Sequence, residues 1–247
     1  MGPFPTQLHF GPIHLYLYGM GLGLAATVAY YYAKARLEKT HLRTDQFWLF
    51  STGIILAGLV GARLAHLATN WSFYNHHPGQ WFALWNGGLA SFGGIALAIP
   101  VGILMQRRLW PSLSSLAFLD RLIPALLLGW ALGRFLGPQF MYAGGGHLTH
   151  QWFGFYYHGQ VGKRVPVPIL QGLEDTAIWL GALGLEVRSR RVGLVSGVAL
   201  VLWGLVRSAD EYFLLGQNSH SGSIGVQIAG VILSLVGVAL LVRSRKN

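Results

Sequence analysis

The chain has 247 residues, of which 53% are hydrophobic and 11% charged; soluble domains average about 25% charged, so an ordinary soluble globule is excluded and the length suits a single membrane domain, 1–247. With no cysteine, disulfides, thiolate catalysis, cysteine metal sites and lipidation of the chain itself are excluded. The formal charge of +10 would suit nucleic acid in a soluble chain, but the excess sits in short breaks between apolar stretches, where membrane topology accounts for it, and no nucleic-acid partner is expected.

In chain order the apolar stretches run over about 12–32, 46–69, 83–106, 113–137, 168–187, 193–215 and 223–242. Each is near the roughly 20 residues that cross a bilayer as a helix. Barrel strands would be shorter and would alternate in polarity. The expected class is all-α: a polytopic membrane protein with seven transmembrane helices. Lys34, Arg36, Lys39, Arg43, Arg107, Arg108, Arg188, Arg190, Arg191, Arg243, Arg245 and Lys246 fall in one set of breaks, and only Lys163 and Arg164 in the other. That asymmetry makes the first set cytoplasmic and places the N-terminus outside and the C-terminus inside. Gly2 to Phe10 contains prolines and no basic n-region, so no cleaved signal is expected. The stretch of about 138–167, between the fourth and fifth spans, reads as a small extracytoplasmic cap.

Arg63, Arg121, Arg134 and Arg207 lie within spans, and Glu174, Asp210 and Glu211 lie within them or at the outer boundary. Charge at such depth is costly and by default functional. Followed in the assigned directions, Tyr18, Arg63, Phe92-Gly93-Gly94, Arg134 and Arg207 come within roughly ten residues of the outer boundary, about 15 Å at helical rise. Gln171 and Glu174 stand at the outer end of the fifth span. Arg121 sits toward the cytoplasmic end of the fourth, beside Asp120, and is expected to snorkel or pair locally. Arg207 and Glu211, four apart, share a helix face. Two readings stay open: arginines and glutamates that neutralise one another, or a polar cavity for an anion, open to the outer leaflet. The planar guanidinium fork suits phosphate, and phospholipid is the anion at that depth. The glycines beside Tyr18 and Phe92 fit either a cavity or close helix packing.

Nine of the ten histidines fall on the outer side. His147 and His150 are close enough to share a metal, but no acid lies near them and no HExxH occurs. Loop histidines, or a general base in the cavity, are the expectation, with no metal and no cofactor.

At these residues the chain resembles the prolipoprotein diacylglyceryl transferase family, over most of its length. Gly11-Pro12-Ile13 and Tyr18-Gly19 are similar to the family's first helix. Gly61-Ala62-Arg63-Leu64 resembles its G-[GA]-R-[IL], and Trp85-Asn86-Gly87-Gly88-Leu89-Ala90-Ser91-Phe92-Gly93-Gly94 its W-[ND]-G-G-[ML]-x-x-[HY]-G-G block. Gly133-Arg134 opens the fourth-helix signature, Gln171-Gly172-Leu173-Glu174 resembles Q-x-x-E, and Ser196-Gly197 with Arg207 and Glu211 resembles S-G and R-x-x-x-E.

The resemblance implies a multi-pass protein of the bacterial cytoplasmic membrane. It would move diacylglyceryl from phosphatidylglycerol, or another anionic phospholipid, to the lipobox cysteine of a prolipoprotein, releasing glycerol phosphate. Tyr18, Arg134, Arg207 and Glu211 would be catalytic. Arg63, Arg134, Arg207, Gly93 and Gly94 would hold the lipid headgroup, with Gln171 and Glu174 supporting.

The departures are as specific. Phe92 stands where the family carries His or Tyr. The signature G-R-x-G-N-F-x-N-x-E is replaced by Gly133-Arg134-Phe135-Leu136-Gly137-Pro138-Gln139-Phe140-Met141-Tyr142, without its asparagines and acid. The proline before Q-x-x-E is displaced by one, and His66 stands where tyrosine is common. If the chain is active, Tyr18, His66, Gln139, His147 or His150 must compensate. The alternative is a non-catalytic lipid-binding subunit of a larger membrane complex. No broken-helix pair in matching halves points to a transporter.

Overall fold

The computed structural model describes residues 3–10, 13–40, 42–83, 88, 90–211 and 220–244. Gly11-Pro12, Trp85-Asn86-Gly87, Leu89, Arg245 and Lys246 lie outside the described residues, as does the side chain of Phe92. The chain runs β1 (Gln7–Phe10), β2 (Ile13–Tyr16), α1 (Leu17–Glu38), α2 (Phe47–Thr69), a short α3 (Trp71–Tyr74), α4 (Ser91–Leu109), α5 (Ser115–Leu136), α6 (Val167–Arg188), α7 (Leu194–Asp210) and α8 (His220–Ser244). Every long helix falls on one of the apolar stretches. Among the described residues three stretches are long and apolar enough to cross a membrane: Phe47–Thr69, Ser115–Phe140 and Ile224–Ser244. The charged and amide side chains within α6 lower its mean hydropathy, and α7 is short, at 17 residues.

Two differences from the sequence reading have local causes. The chain is mostly helical but not all-α: the first apolar stretch opens not as helix but as β2, antiparallel to β1 in the register Gln7↔Tyr16 and His9↔His14. The third begins at Ser91 rather than 83, because Gly88 takes a left-handed φ of 79°, a conformation that a helix interior does not accept and that glycine reaches without strain.

Contacts divide the chain into two compact units, Met1–Arg36 with Leu119–Asn247, and Leu37–Phe118. In the first, Ile123 and Leu127 of α5, Ile178 and Ala182 of α6, and Val195 and Ala199 of α7 form a buried core, with Trp179 and Trp203 packed against it. α7 and α8 cross through small residues. A Cβ on Gly204 would meet the Gly230 carbonyl, and one on Gly237 the Gly197 carbonyl; Ser234 reaches across to the Val201 carbonyl at 3.2 Å. Such close backbone approach is how helices associate where no water drives burial. α1 meets α5 in the same way, with Gly129 against Ala29 and Gly21 against the Leu136 carbonyl.

Asp120 is placed by long-range bonding. In the sequence it stands beside Arg121, which is expected to snorkel or pair locally. The Asp120 carboxylate instead accepts from the backbone N–H of Gly193 (2.6 Å) and Ser196 (2.8 Å) and from the Ser196 hydroxyl (2.5 Å). It therefore caps the N-terminus of α7 from another helix, where orphan N–H donors and the helix dipole favour an anion. Gly193, at φ 89°, makes the turn. Arg36 closes the same end of the unit, donating to Glu186 at 2.6 Å and to the Arg121 carbonyl at 2.8 Å.

Between α5 and α6 the cap is tied by bridges of Leu148 and Phe155 to Arg164. Gln160 bonds both backbone groups of Gly145 at 2.9 Å. Phe4 from the N-terminal segment packs on Phe140, Phe155 and Tyr157, with centroids 5.6–6.2 Å away. Buried Tyr157 donates to Gln139 Oε1 at 3.1 Å, and burial pushes its phenol up to about 12.

In the second unit, α2 and α4 cross where Gly61 faces the Gly93 carbonyl and Gly93 faces that of Gly61. Phe50, Trp110 and Phe118 stack at one end, with centroids 5.1–5.5 Å apart.

Candidate functional site

The first unit gathers its charge between α6 and α7. Helical spacing puts Gln171, Glu174 and Asp175 on one face of α6, and Arg207 and Asp210 on one face of α7. Where those faces meet, buried Arg207 ion-pairs through Nη2 with Asp175 Oδ1 at 3.1 Å and through Nη1 with Asp210 Oδ2 at 3.1 Å. Glu174 Oε2 lies farther off, at 3.6 Å. Gln171 Nε2 donates to Asp210 at 3.0 Å, and Arg207 reaches the Gln171 carbonyl at 3.5 Å. Asp175 is wholly buried. A guanidinium so enclosed is viable only with its anions in place, since an unpaired buried charge costs several kcal/mol. Some capacity is unspent: Arg207 Nε, Gln171 Oε1 and Asp175 Oδ2 are buried without a hydrogen-bond partner among the described residues.

Arg134, in the last turn of α5, differs. Among the described residues it has no ion pair or hydrogen bond. It stacks over Trp130 at 5.9 Å, and the charges of Arg207, Asp175 and Asp210 act on it, with the Tyr18 phenol near by. Tyr18 opens α1 and is partly exposed. Tyr18, Arg134, Gln171, Glu174 and Arg207 thus all belong to one unit and, by these interactions, to one charged neighbourhood.

The sequence points to Glu211 as the partner of Arg207. Arg207 also pairs one position earlier, with Asp210, on the side where α6 meets α7. Asp175, next to Glu174, is the acid that motif spacing passes over. Its signal is an ionisable residue in an apolar stretch, masked by its neighbour.

Arg63 belongs to the other unit. It is buried, and its guanidinium donates to the carbonyls of Trp81 (2.8 Å), Gly88 (3.0 Å) and Gln80 (2.5 Å) and lies over the Tyr74 ring at 5.3 Å. A side chain on Gly88 would strike His66 and Arg63. Arg63 therefore clamps the loop that follows α3 onto α2. Gly93 is closed by the crossing of α2, and Gly94 stands close to the Gly58 carbonyl, so the missing side chains of these two glycines serve that crossing. Of the candidate bases, His66 lies beside Asn70, at 3.4 Å from Nδ1; Gln139 is bonded to Tyr157; His147 and His150 are on the exposed cap.

Residues 5–243 match the family model described as prolipoprotein diacylglyceryl transferase. Among curated proteins, the chain is similar to the phosphatidylglycerol–prolipoprotein diacylglyceryl transferase of Bacillus velezensis, with 25% identity over 98% of this chain and 92% of that one. It is likewise similar to those of Lactococcus lactis, with 28% identity over 97% and 95%, and Tolumonas auensis, with 29% identity over 98% and 96%.

Proposed function

We propose, from the premise that this chain belongs to the prolipoprotein diacylglyceryl transferase family, that it moves a diacylglyceryl group from phosphatidylglycerol to the lipobox cysteine of a prolipoprotein at the outer leaflet of the bacterial cytoplasmic membrane. The topology of the proposal is seven spans with the N-terminus outside, and it rests on the asymmetry of basic residues. The observation that carries the chemistry is the contrast between two arginines: Arg207 is ion-paired with Asp175 and Asp210, while among the described residues Arg134 keeps a half-buried guanidinium without an ion pair.

In the reaction the thiol proton passes to a base and the sulfur bonds to the glyceryl carbon. The C–O bond to phosphate breaks, and glycerol phosphate leaves with the electron pair. Arg134 receives the phosphate and stabilises its growing charge, which a preorganised donor does most effectively away from water. Arg207, held from both sides, keeps the neighbouring field fixed. Tyr18 borders the same charges.

The test is an assay with phosphatidylglycerol and a lipobox peptide, run beside complementation of a strain depleted of its own transferase. Turnover that disappears in Arg134→Ala supports the enzyme. A second reading, a lipid-holding subunit without turnover, is favoured by Phe92, which cannot move a proton, and by the substituted signature after Arg134. It predicts bound lipid and no product in either assay.

A further inference from the structure

Arg134 and Arg207 stand at the two ends of one aromatic chain. Arg134 lies over the Trp130 ring at 5.9 Å. Trp130 meets Trp203 edge to face, with centroids 5.3 Å apart and planes at 88°. Arg207 lies over Trp203 at 5.8 Å. Each arginine follows its tryptophan by four residues, so both pairs are set by helical spacing on α5 and α7. Two guanidiniums repel, and more strongly away from water. Arg207 is compensated by carboxylates; for Arg134 the compensating contact at hand is the electron-rich face of Trp130. The perpendicular contact with Trp203 locks that ring, because the positive edge of one indole meets the negative face of the other. Trp130 is 47% exposed.

We propose that the Trp130–Trp203 pair is a positioning device for anion recognition, holding the uncommitted Arg134 guanidinium at a fixed distance from Arg207 so that a phosphate headgroup meets a cation already in place. Neither indole touches the reacting atoms. The inference rests on the lipid-binding reading above and adds the residues that set the geometry of its cation.

The test uses the full chain in lipid nanodiscs and measures displacement of a fluorescent phosphatidylglycerol and, separately, a fluorescent diacylglycerol, which has the same chains and no phosphate. Trp130 is the residue to change, because its exposure lets the variants fold. In Trp130→Leu, affinity for phosphatidylglycerol should fall about tenfold, the scale of one desolvated cation–π contact. Trp130→Phe, which keeps a ring face, should stay within about threefold of the unmodified protein. Diacylglycerol affinity should not change in either. Wild-type phosphatidylglycerol affinity in Trp130→Leu would overturn the inference, and so would a parallel loss for both lipids, which would mark plain packing. If the unmodified protein shows no preference for phosphatidylglycerol, the lipid-holding reading falls and this inference with it. A preference that survives in Trp130→Leu overturns the inference alone.

Discussion

Replacing Asp175 by asparagine tests whether Arg207 is a structural cation held by its anions. The substitution keeps the shape of the side chain and removes one charge 3.1 Å from Nη2 in a wholly buried position. Breaking a buried pair outright costs about 3–5 kcal/mol. Here Asp210 still faces Nη1 at 3.1 Å, and the asparagine oxygen can still accept, so the expected loss falls to about 2–3 kcal/mol, near that of one charged hydrogen bond. Glu174→Gln is the internal control. Its carboxylate is 3.6 Å away on a side chain 35% exposed, so at most about 1 kcal/mol is expected. Denaturant titration in mixed micelles reads both, and a double-mutant cycle with Arg207→Gln isolates the Asp175–Arg207 coupling. Equal losses for the two acids, or a coupling near zero, would refute the assignment of Asp175 as the principal anion of the cluster.

Further expectations follow from other features. Because the chain lacks cysteine, single cysteines report topology cleanly: positions 36, 108 and 190 should label from the cytoplasm and positions 75 and 150 from outside, and cytoplasmic labelling at 150 would sink the orientation. Tyr157 has a phenol raised from 10.0 to about 12 in the folded cap. Below pH 10 both states keep the proton; above it the unfolded chain releases it first, so cap stability should fall as pH rises from about 10 through about 12, by at most about 2–3 kcal/mol. A difference titration of tyrosinate absorbance against Tyr157→Phe should show this late-ionising group, and ionisation near 10 would contradict its burial. Gly204→Leu should disrupt the α7–α8 crossing, whereas Gly184→Leu, facing open space, should leave thermal stability nearly unchanged; equal melting points for the two variants would undo the close-approach account.

The long helices were legible as apolar stretches, but their first residues were not. Ile13-His14-Leu15-Tyr16 reads equally as helix or strand, since a short apolar run carries no decisive period; pairing with Gln7–Phe10 decides it. Arg207 offers partners at i+3 and i+4, and spacing alone does not show that Asp210, facing α6, is one of them. The clamping of Arg63 had no sequence signal, because its partners are carbonyls, which every residue has. Asp120 likewise serves a turn 73 positions away at Gly193, a relation that no local pattern encodes. Legible instead were the residue types that a membrane makes expensive: Arg134, Arg207 and Glu174 stood out, and all three fall in the charged neighbourhood of the first unit.

The contact of α1 with α5 has a consequence for biogenesis. Ala29 and its partner Gly129 are separated by about a hundred residues of chain, which a ribosome takes about 5–20 s to make. During that interval α1 is without its partner, while Leu37–Phe118, a compact unit by itself, can complete its own packing. The face of α1 that carries Gly21 and Ala29 stays uncovered by α5 for that time, so the order of synthesis sets the order in which the two units can close.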